Sequence, residues 1–442
     1  MSIVTRFAPS PTGRLHVGNV RTALINWLLA RRNDGRFLLR LDDTDRERSS
    51  DAHVAAIRDD LAWLGLHPDG EVRQSARTAL YDAAFKRLVD AGRIYPAYET
   101  PDELGLKRKV QASRGLPPVY DRAALDLTDA DRAAFEAEGR RPHWRFRLDT
   151  DAAISWHDLV RGSAHIDPAA QSDPVVRRAD GSYLYMLPST VDDIDMGITH
   201  VVRGEDHVTN SGVQLQLFAA LGAAPPAFAH LPLLADADGG KLSKRLESFD
   251  MGTLRDLDVE PQTVAALLAR IGTSRPVEPV ASVDALIDGF DFGNFGRAQA
   301  RVDAEDFTAL NAKVTHLLPY DAVAARLPSG MDAEAWTAIR PNLTRVSDAE
   351  DWWAMIAGDV ESMVLPQDRD FINEAGGLLA ELDWSDDIWR RWTTQLKVRT
   401  GRKGKALFMP LRGALTGRDN GPEMAALLPL IGRERAIHRL TG

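Results

Sequence analysis

Residues 3–41 constrain the fold more than any other stretch. Ile3-Val4-Thr5-Arg6-Phe7 reads as a short buried strand. The turn-rich run Ala8-Pro9-Ser10-Pro11-Thr12-Gly13 follows. Val17, Val20, Leu24, Trp27 and Leu28 then recur at helical spacings of three and four. Asn33-Asp34-Gly35 closes that helix, with Gly35 as the expected left-handed stop. Residues 36–41 form a second apolar run of strand length. Strand, helix and strand in this order predict a βαβ unit, hence a parallel sheet with right-handed crossovers. A ligand site is then expected beyond the carboxyl ends of the strands.

The rest of the chain extends this pattern and then breaks it. Ser50 is a cap for a helix whose Val54, Ile57, Leu61 and Leu64 share one face. A third helix spans about 75–91 and ends at Gly92. Residues 100–140 are charged and alanine-rich, with Pro117-Pro118 inside. Trp144, Phe146 and Leu148 alternate with period two, and Ala179-Asp180-Gly181-Ser182 joins two β-like runs. Residues 198–203, 208–221 and 228–234 resume strand, helix and strand. Beyond about 250 the pattern is mostly helical. Trp336, Trp352, Trp353, Trp384, Trp389 and Trp392 crowd this half and read as core anchors rather than a base-stacking platform. The expected architecture is α/β: a Rossmann-type parallel sheet in two halves (1–95 and 181–246), an inserted α+β subdomain (96–180), and helical regions at 247–310 and 311–442.

Composition removes whole classes of chemistry. The 442 residues include no cysteine, which excludes disulfides, thiolate zinc sites, iron–sulfur clusters and a cysteine nucleophile. No apolar run approaches the ~18 residues of a membrane span. Residues 1–30 lack the pattern of a secretory leader, and a cytoplasmic location is expected. The net charge of −10 argues against a sequence-blind nucleic-acid coat. A specific RNA partner would require positive charge concentrated locally.

Two segments carry candidate chemistry. His16-Val17-Gly18-Asn19 opens the first helix, where free backbone N–H groups and the positive dipole end suit a phosphate. His16 can donate to a phosphate oxygen, and Gly18 lets an adenine or ribose approach the backbone. A rigid proline turn with a surface histidine explains the same residues. Gly239-Gly240-Lys241-Leu242-Ser243-Lys244-Arg245 puts three cations and a hydroxyl after a glycine pair. Such a loop can neutralise charge as pyrophosphate leaves. A solvated basic turn is the alternative, and the spacing is not that of a Walker A loop.

Together these segments resemble the HIGH and KMSKS signatures of class I aminoacyl-tRNA synthetases. Further strings narrow the resemblance to the glutamyl-tRNA synthetases of bacterial type. They are residues 6–13, Arg40-Leu41-Asp42-Asp43-Thr44-Asp45-Arg46-Glu47-Arg48-Ser49, Val191-Asp192-Asp193 and Arg203-Gly204-Glu205-Asp206-His207. The resemblance runs from about residue 3 to the C-terminus. It implies activation of L-glutamate with ATP and Mg²⁺, then transfer to the 3′ end of tRNA-Glu, with tRNA-Gln as an alternative second substrate. It implies that residues 96–180 contact the acceptor stem, 247–310 the stem, and 311–442 the anticodon. A monomer is expected.

The resemblance also assigns roles. His16, Lys241 and Lys244 match the catalytic positions. His16, Gly18, Asp206, Lys241, Ser243 and Lys244 match ATP-binding positions. Arg6, Ala8, Ser10, Asp42, Tyr185, Ser189 and Arg203 match the glutamate pocket. A planar guanidinium at Arg6 suits the substrate's side-chain carboxylate. An ion pair with Asp42 or Asp43 accounts equally well for Arg6. Two positions depart from the family. Asp42 stands where Glu is common, and Ser189 ends a Met-Leu-Pro-Ser run where His-Leu-Ala-Asn is familiar. No zinc is expected, because a thiolate zinc knob cannot exist here.

For RNA, Lys397, Arg399, Arg402, Lys403, Lys405 and Arg412 supply the local basic stretch. A solvated helix-to-loop segment is the alternative. The resemblance places anticodon contacts near Arg340 and Arg345. The competing readings are a related enzyme that glutamylates a modified tRNA base, a catalytically silent tRNA-binding paralogue, and a small-molecule adenylyltransferase. The ~140 helical residues after 300 argue against the first and last. The intact His16, Lys241 and Lys244 argue against the silent paralogue.

Overall fold

The computed structural model describes residues 2–45, 47–235 and 250–442. They form two compact units. The first comprises Met1–Leu254, Val264–Glu278 and Ser282–Asp303, and the second Arg255–Thr263, Pro279–Ala281 and Ala304–Gly442.

The first unit opens with β1 (Val4–Phe7), α1 (Val17–Arg32) and β2 (Arg36–Leu41). β1 and β2 pair in parallel, with Arg6 opposite Leu38. α1 covers the sheet, burying Val17, Val20, Leu24, Trp27 and Leu28. Its end differs in detail from the sequence expectation. Asp34, not Gly35, takes the left-handed conformation, at φ 50°. Gly35 is needed for another reason: a Cβ there would lie 2.2 Å from the Ile3 carbonyl oxygen. α2 (Asp51–Trp63) starts where the Ser50 hydroxyl accepts from the His53 N–H. β3 (Gly70–Arg73) then pairs in parallel with β2, and α3 (Thr78–Asp90) follows.

The insertion begins with β4 (Ile94–Ala97). α4 (Pro101–Ser113) and α5 (Asp129–Ala137) follow, each opened by a Thr-based capping box. β5 (His143–Phe146) pairs antiparallel with β4. β6 (Ile154–Asp158) and β7 (Gly162–Ile166) form a hairpin, and β8 (Val175–Arg177) completes the three-stranded sheet β4-β5-β8. The hairpin β6–β7 has a different partner from its neighbours in sequence. β6 pairs with β10 (Ala227–Leu231), Asp158 opposite Phe228. The expected boundary at 180 therefore leaves inside the insertion a hairpin that joins the second half of the sheet through β6.

That half also contains α6 (Met186–Asp195), β9 (His200–Gly204) and α7 (Val208–Ala220). Its strand order is β7-β6-β10-β9. β9 runs beside β1, joined by Thr199 N–H to the Val4 carbonyl at 3.0 Å and Val4 N–H to the Thr199 hydroxyl at 2.8 Å. The chain thus reverses its winding between β1 and β9, which opens a crevice at their carboxyl ends. A short parallel pair, β11 (Leu234–Ala235) and β12 (Ala300–Arg301), lies further along the chain.

The second unit is helical. Trp336 and Trp392 are fully buried, and their indole N–H groups donate to the carbonyls of Leu318 (3.0 Å) and Ala375 (2.9 Å). Trp352 is buried as well, Trp353 donates to the Ser329 carbonyl, and Trp389 meets Trp392 edge-on. Trp336, Trp352 and Trp392 are anchors of a core, since a buried ring has no face left for a base. Among the described residues no helix is long and apolar enough to cross a membrane.

Candidate active site

A cleft of about 690 Å³ opens at the carboxyl ends of β1 and β9. Arg6, His16, Asp42, Tyr185, Arg203 and Asp206 line it, together with Ala8, Ser10 and Gly18. The proline loop forms one wall. It is held by Asp42 N–H donating to the Pro9 carbonyl at 3.0 Å and Ser50 N–H to the Pro11 carbonyl at 3.2 Å.

His16 is the N-cap of α1. Its Nδ1 accepts from the Gly18 N–H at 3.2 Å, and the Asn19 side chain accepts from the His16 N–H in return. An accepting Nδ1 puts the proton of the neutral ring on Nε2, so Nε2 is the donor. Gly18 has a second reason to be glycine. A Cβ there would lie 3.1 Å from His16 Cε1 and 3.2 Å from Nδ1, crowding the ring that it caps.

Arg6 is buried, and its partner is neither of the expected carboxylates. Nε donates to Asp193 Oδ1 at 3.1 Å and Nη2 to Oδ2 at 3.5 Å. Asp43 instead accepts from the Ser75 N–H and hydroxyl, both at 2.8 Å. Asp42 takes both of its bonds from Arg40, at 2.7 and 3.1 Å. Arg40 is wholly buried and also donates to Asp193 at 2.7 Å and to the Ser189 hydroxyl at 3.1 Å. Ser189 is therefore placed behind the wall of the cleft, as a partner of Arg40 rather than a lining residue. Burial raises the Asp42 carboxyl above its usual range, against the pull of Arg40. Burial would raise Asp193 too, but the Arg6 and Arg40 guanidiniums hold it below that range.

Arg203 differs from both arginines. Nη1 donates to the Tyr185 hydroxyl at 2.7 Å, and Nη2 to the Ser211 hydroxyl at 2.6 Å and Gln214 Oε1 at 2.7 Å. All three acceptors are neutral. Burial lowers its pKa, and its Nε is buried with no acceptor. A buried cation at the cleft with no carboxylate at ion-pair distance among the described residues suits an anionic ligand. Asp206 lies in the short turn after β9, beside His207 at 3.6 Å. Burial and then the Arg203 charge lower the His207 pKa.

Lys241, Ser243 and Lys244 lie outside the described residues. Leu234, shortly before that stretch, lines the cleft, and Asp250, just after it, forms an antiparallel bridge with His16. Among the described residues no group of three or more His, Asp or Glu is arranged to hold a metal ion.

The RNA candidates in the second unit divide by their bonds. Arg340 donates to the Leu318 carbonyl at 2.7 Å, and Arg402 pairs with Asp368 at 2.5 Å over the Phe371 ring. Both serve packing. Arg345 pairs with Asp348 at 3.3 Å, Arg399 lies 3.9 Å from Glu381, and Lys397 sits over Phe408. Lys403 is exposed.

Sequence reasoning gave no role to Arg21, Arg40, Asp193 or the Asp158–His230 pair. Arg21 spans from α1 to the carbonyls of Pro232 (2.8 Å) and Ile271 (2.9 Å), and burial pushes its pKa down to about 10. The acid pair Asp192-Asp193 inside an apolar helix was a readable signal, since buried carboxylates need cations.

A sheet split by an insertion, with a phosphate-suited helix start and buried cations at its switch point, defines the catalytic unit of a class I tRNA synthetase. The family profile described as tRNA synthetases class I (E and Q), catalytic domain, matches residues 2–294, and an anticodon binding domain profile matches 334–442. The chain is 63% identical to glutamate–tRNA ligase 1 of Rhizorhabdus wittichii, over 99% of each chain. It is 59% identical to glutamate–tRNA ligase 1 of Novosphingobium aromaticivorans over the full length of both. A crystal structure of a glutamate tRNA ligase from Elizabethkingia meningosepticum in complex with its amino acid superposes with a TM-score of 0.86. It shares 28% identity and covers 100% of this chain and 98% of that one. The chain belongs to the glutamate–tRNA ligase family of class I tRNA synthetases.

Proposed function

We propose that the cleft activates L-glutamate with Mg²⁺–ATP and passes it to the 3′-terminal adenosine of tRNA-Glu. The α-carboxylate of glutamate attacks the α-phosphorus in line, and the bond to the β-phosphate oxygen breaks to release pyrophosphate. A ribose hydroxyl of the tRNA then attacks the acyl carbon, loses its proton and releases AMP. Positioning and charge neutralisation supply most of the acceleration in such steps.

The observation that carries the reading is one cleft holding both kinds of anion site. The start of α1 and His16 Nε2–H suit the phosphates, with Gly18 and Asp206 on the ATP side. Arg203, buried without a carboxylate partner, suits the distal carboxylate of glutamate alongside Arg6 and Tyr185. Ala8 and Ser10 line the same space. Asp42 faces the α-amino group, since a carboxylate bound by Arg40 retains acceptor positions. Lys241, Ser243 and Lys244 act on the phosphates by family resemblance, and the residues that flank them border the cleft. Residues 96–180 take the acceptor stem, and Lys397, Arg399 and Lys403 the tRNA backbone. With no cysteine in the chain, a thiolate zinc site has no place in this reading.

The test is ATP–pyrophosphate exchange with glutamate, run with and without tRNA, followed by glutamylation of purified tRNA-Glu and tRNA-Gln side by side. Glutamate-dependent exchange and charging of tRNA-Glu are expected. Exchange with another amino acid in place of glutamate overturns the reading.

A further inference from the structure

Behind Arg203 lies a hydrogen-bonded file of side chains that the reaction itself does not use. Asp158, at the end of β6, His230, on β10, and Ser211, on α7, are all fully buried. Asp158 Oδ1 accepts from the backbone N–H groups of Val160 (3.0 Å), Arg161 (2.9 Å) and His230 (3.2 Å). Its Oδ2 lies 2.5 Å from His230 Nδ1. A carboxylate with this many donors stays ionised, and it takes the Nδ1 proton as a donor. The burial-lowered pKa of His230 agrees with a neutral ring. His230 Nε2 is then an acceptor, and the Ser211 hydroxyl, 2.7 Å away, donates to it. With its proton so committed, Ser211 Oγ presents lone pairs to Arg203 Nη2 at 2.6 Å. The other end of the same guanidinium donates to the Tyr185 hydroxyl in the cleft.

The residue types are those of a hydrolytic triad, but the geometry is not. Ser211 Oγ has no access to the cleft, and its lone pairs face a guanidinium. It has neither a substrate to attack nor a route for one.

We propose that Asp158, His230 and Ser211 are positioning residues, a buried relay that fixes the Arg203 guanidinium and the Tyr185 hydroxyl in the orientation the amino acid requires. The relay gives a buried cation oriented neutral acceptors without a paired carboxylate, which leaves its charge for the ligand. It couples β6 to the cleft, so the hairpin that sequence assigns to the insertion sets the amino-acid pocket. The inference rests on the reading of Arg203 and Tyr185 as glutamate contacts.

The experiment compares four variants in ATP–pyrophosphate exchange, with thermal melting of each. Ser211→Ala removes one acceptor with little change of volume. His230→Asn keeps a donor near Nδ1 for Asp158 but loses the acceptor for Ser211. His230→Gln reaches the Nε2 position and can restore it. Arg203→Lys tests the underlying reading directly. Ser211→Ala and His230→Asn are expected to raise the glutamate KM about 5–10-fold, with the ATP KM within about twofold, as for one lost hydrogen bond of ordinary strength. His230→Gln is expected to recover most of that loss. If Arg203→Lys raises the glutamate KM and Ser211→Ala does not, the relay is overturned and the reading of Arg203 stands. An unchanged glutamate KM in Arg203→Lys overturns both. Should His230→Asn fail to fold, Ser211→Ala decides alone, because equal changes in the glutamate and ATP KM values reduce the relay to packing.

Discussion

Arg6 and Asp193 hold each other through two hydrogen bonds, at 3.1 and 3.5 Å, across 187 residues of chain. Arg40 donates to the same carboxylate at 2.7 Å. One aspartate thus serves two buried cations, and the two arginines are not equivalent in what they lose without it.

Arg6→Gln leaves Asp193 paired with Arg40, so the fold should survive. The cleft loses a cation, and a substrate carboxylate held there loses a partner at a cost of about 2–5 kcal/mol. The glutamate KM should rise far more than the ATP KM, and discrimination against glutamine should fall with it. A retained glutamate KM and preference in steady-state exchange would make Arg6 only the partner of Asp193. Asp193→Asn should instead unfold the first unit more easily, by about 3–5 kcal/mol, because the buried Arg6 guanidinium loses its counter-charge, whereas Arg40 keeps Asp42. Urea denaturation measures the difference.

Gly18→Ala should disturb catalysis without touching any reacting group. The new methyl would press on the His16 ring from 3.1 Å and turn it off its cap. The exchange rate is expected to fall about tenfold or more, with melting shifted by no more than a cap is worth, ~1 kcal/mol. Loss of stability with a normal rate would contradict this.

Lys244→Ala should slow adenylate formation by about 10²–10³ while leaving the melting curve in place, the size of one electrostatic group acting in a transition state. Pre-steady-state measurement of pyrophosphate release checks it, and an unchanged rate removes Lys244 from the mechanism.

His143 gives a pH dependence in the inserted sheet. Burial, and then the Arg145 charge, push its pKa from 6.5 down to about 4, and its Nε2 accepts from Arg145 at 3.2 Å. As pH falls from about 6.5 toward 4, the unfolded chain takes up a proton that the folded site refuses, so stability is lost across that window. Below it both states are protonated and the loss stops. His143→Gln should flatten this part of the profile, by about 2–4 °C in melting temperature for each kcal/mol of linkage removed. Scanning calorimetry at pH 7, 5.5 and 4.5 decides whether the wild-type curve is steeper.

In the second unit, Arg402 and Lys403 are neighbours with opposite expectations. Arg402→Ala removes the Asp368 pair and the Phe371 contact, and should lower melting temperature. Lys403→Ala should leave melting unchanged and weaken tRNA binding at all sequences. The slope of log affinity against log salt should drop by about 1. Filter binding across a salt series reads both.

The strands and helices of the first unit were legible because each repeats its period over several residues, as the buried face of α1 does. The phosphate-suited helix start was legible too, since His16, Gly18 and Asn19 are adjacent in sequence. What sequence did not show is who pairs with whom. An ion pair of Arg6 with Asp42 or Asp43 is one of two equal readings of the sequence. The packing of α6 against the first half of the sheet brings Asp193 to Arg6 instead. The β6–β7 hairpin lies before the expected boundary at 180 and pairs through β6 with β10 beyond it. The alternation read at Trp144, Phe146 and Leu148 lies at β5 and just beyond it, and the strand pair that follows is not singled out in sequence.

Arg40 shows how unevenly this catalytic unit is divided. Of its partners, Asp42 lies two residues away, whereas Ser189 and Asp193 lie about 150 residues downstream. A chain emerging from the ribosome therefore makes its buried cations long before it makes Asp193, the carboxylate they share. Until α6 has been synthesised, β1 and β2 carry two guanidiniums that water must keep, and their sheet cannot close dry. The arrangement makes the first half a client of the second: a split between residues 99 and 150 should yield an N-terminal piece that stays open and solvated until its complement is supplied.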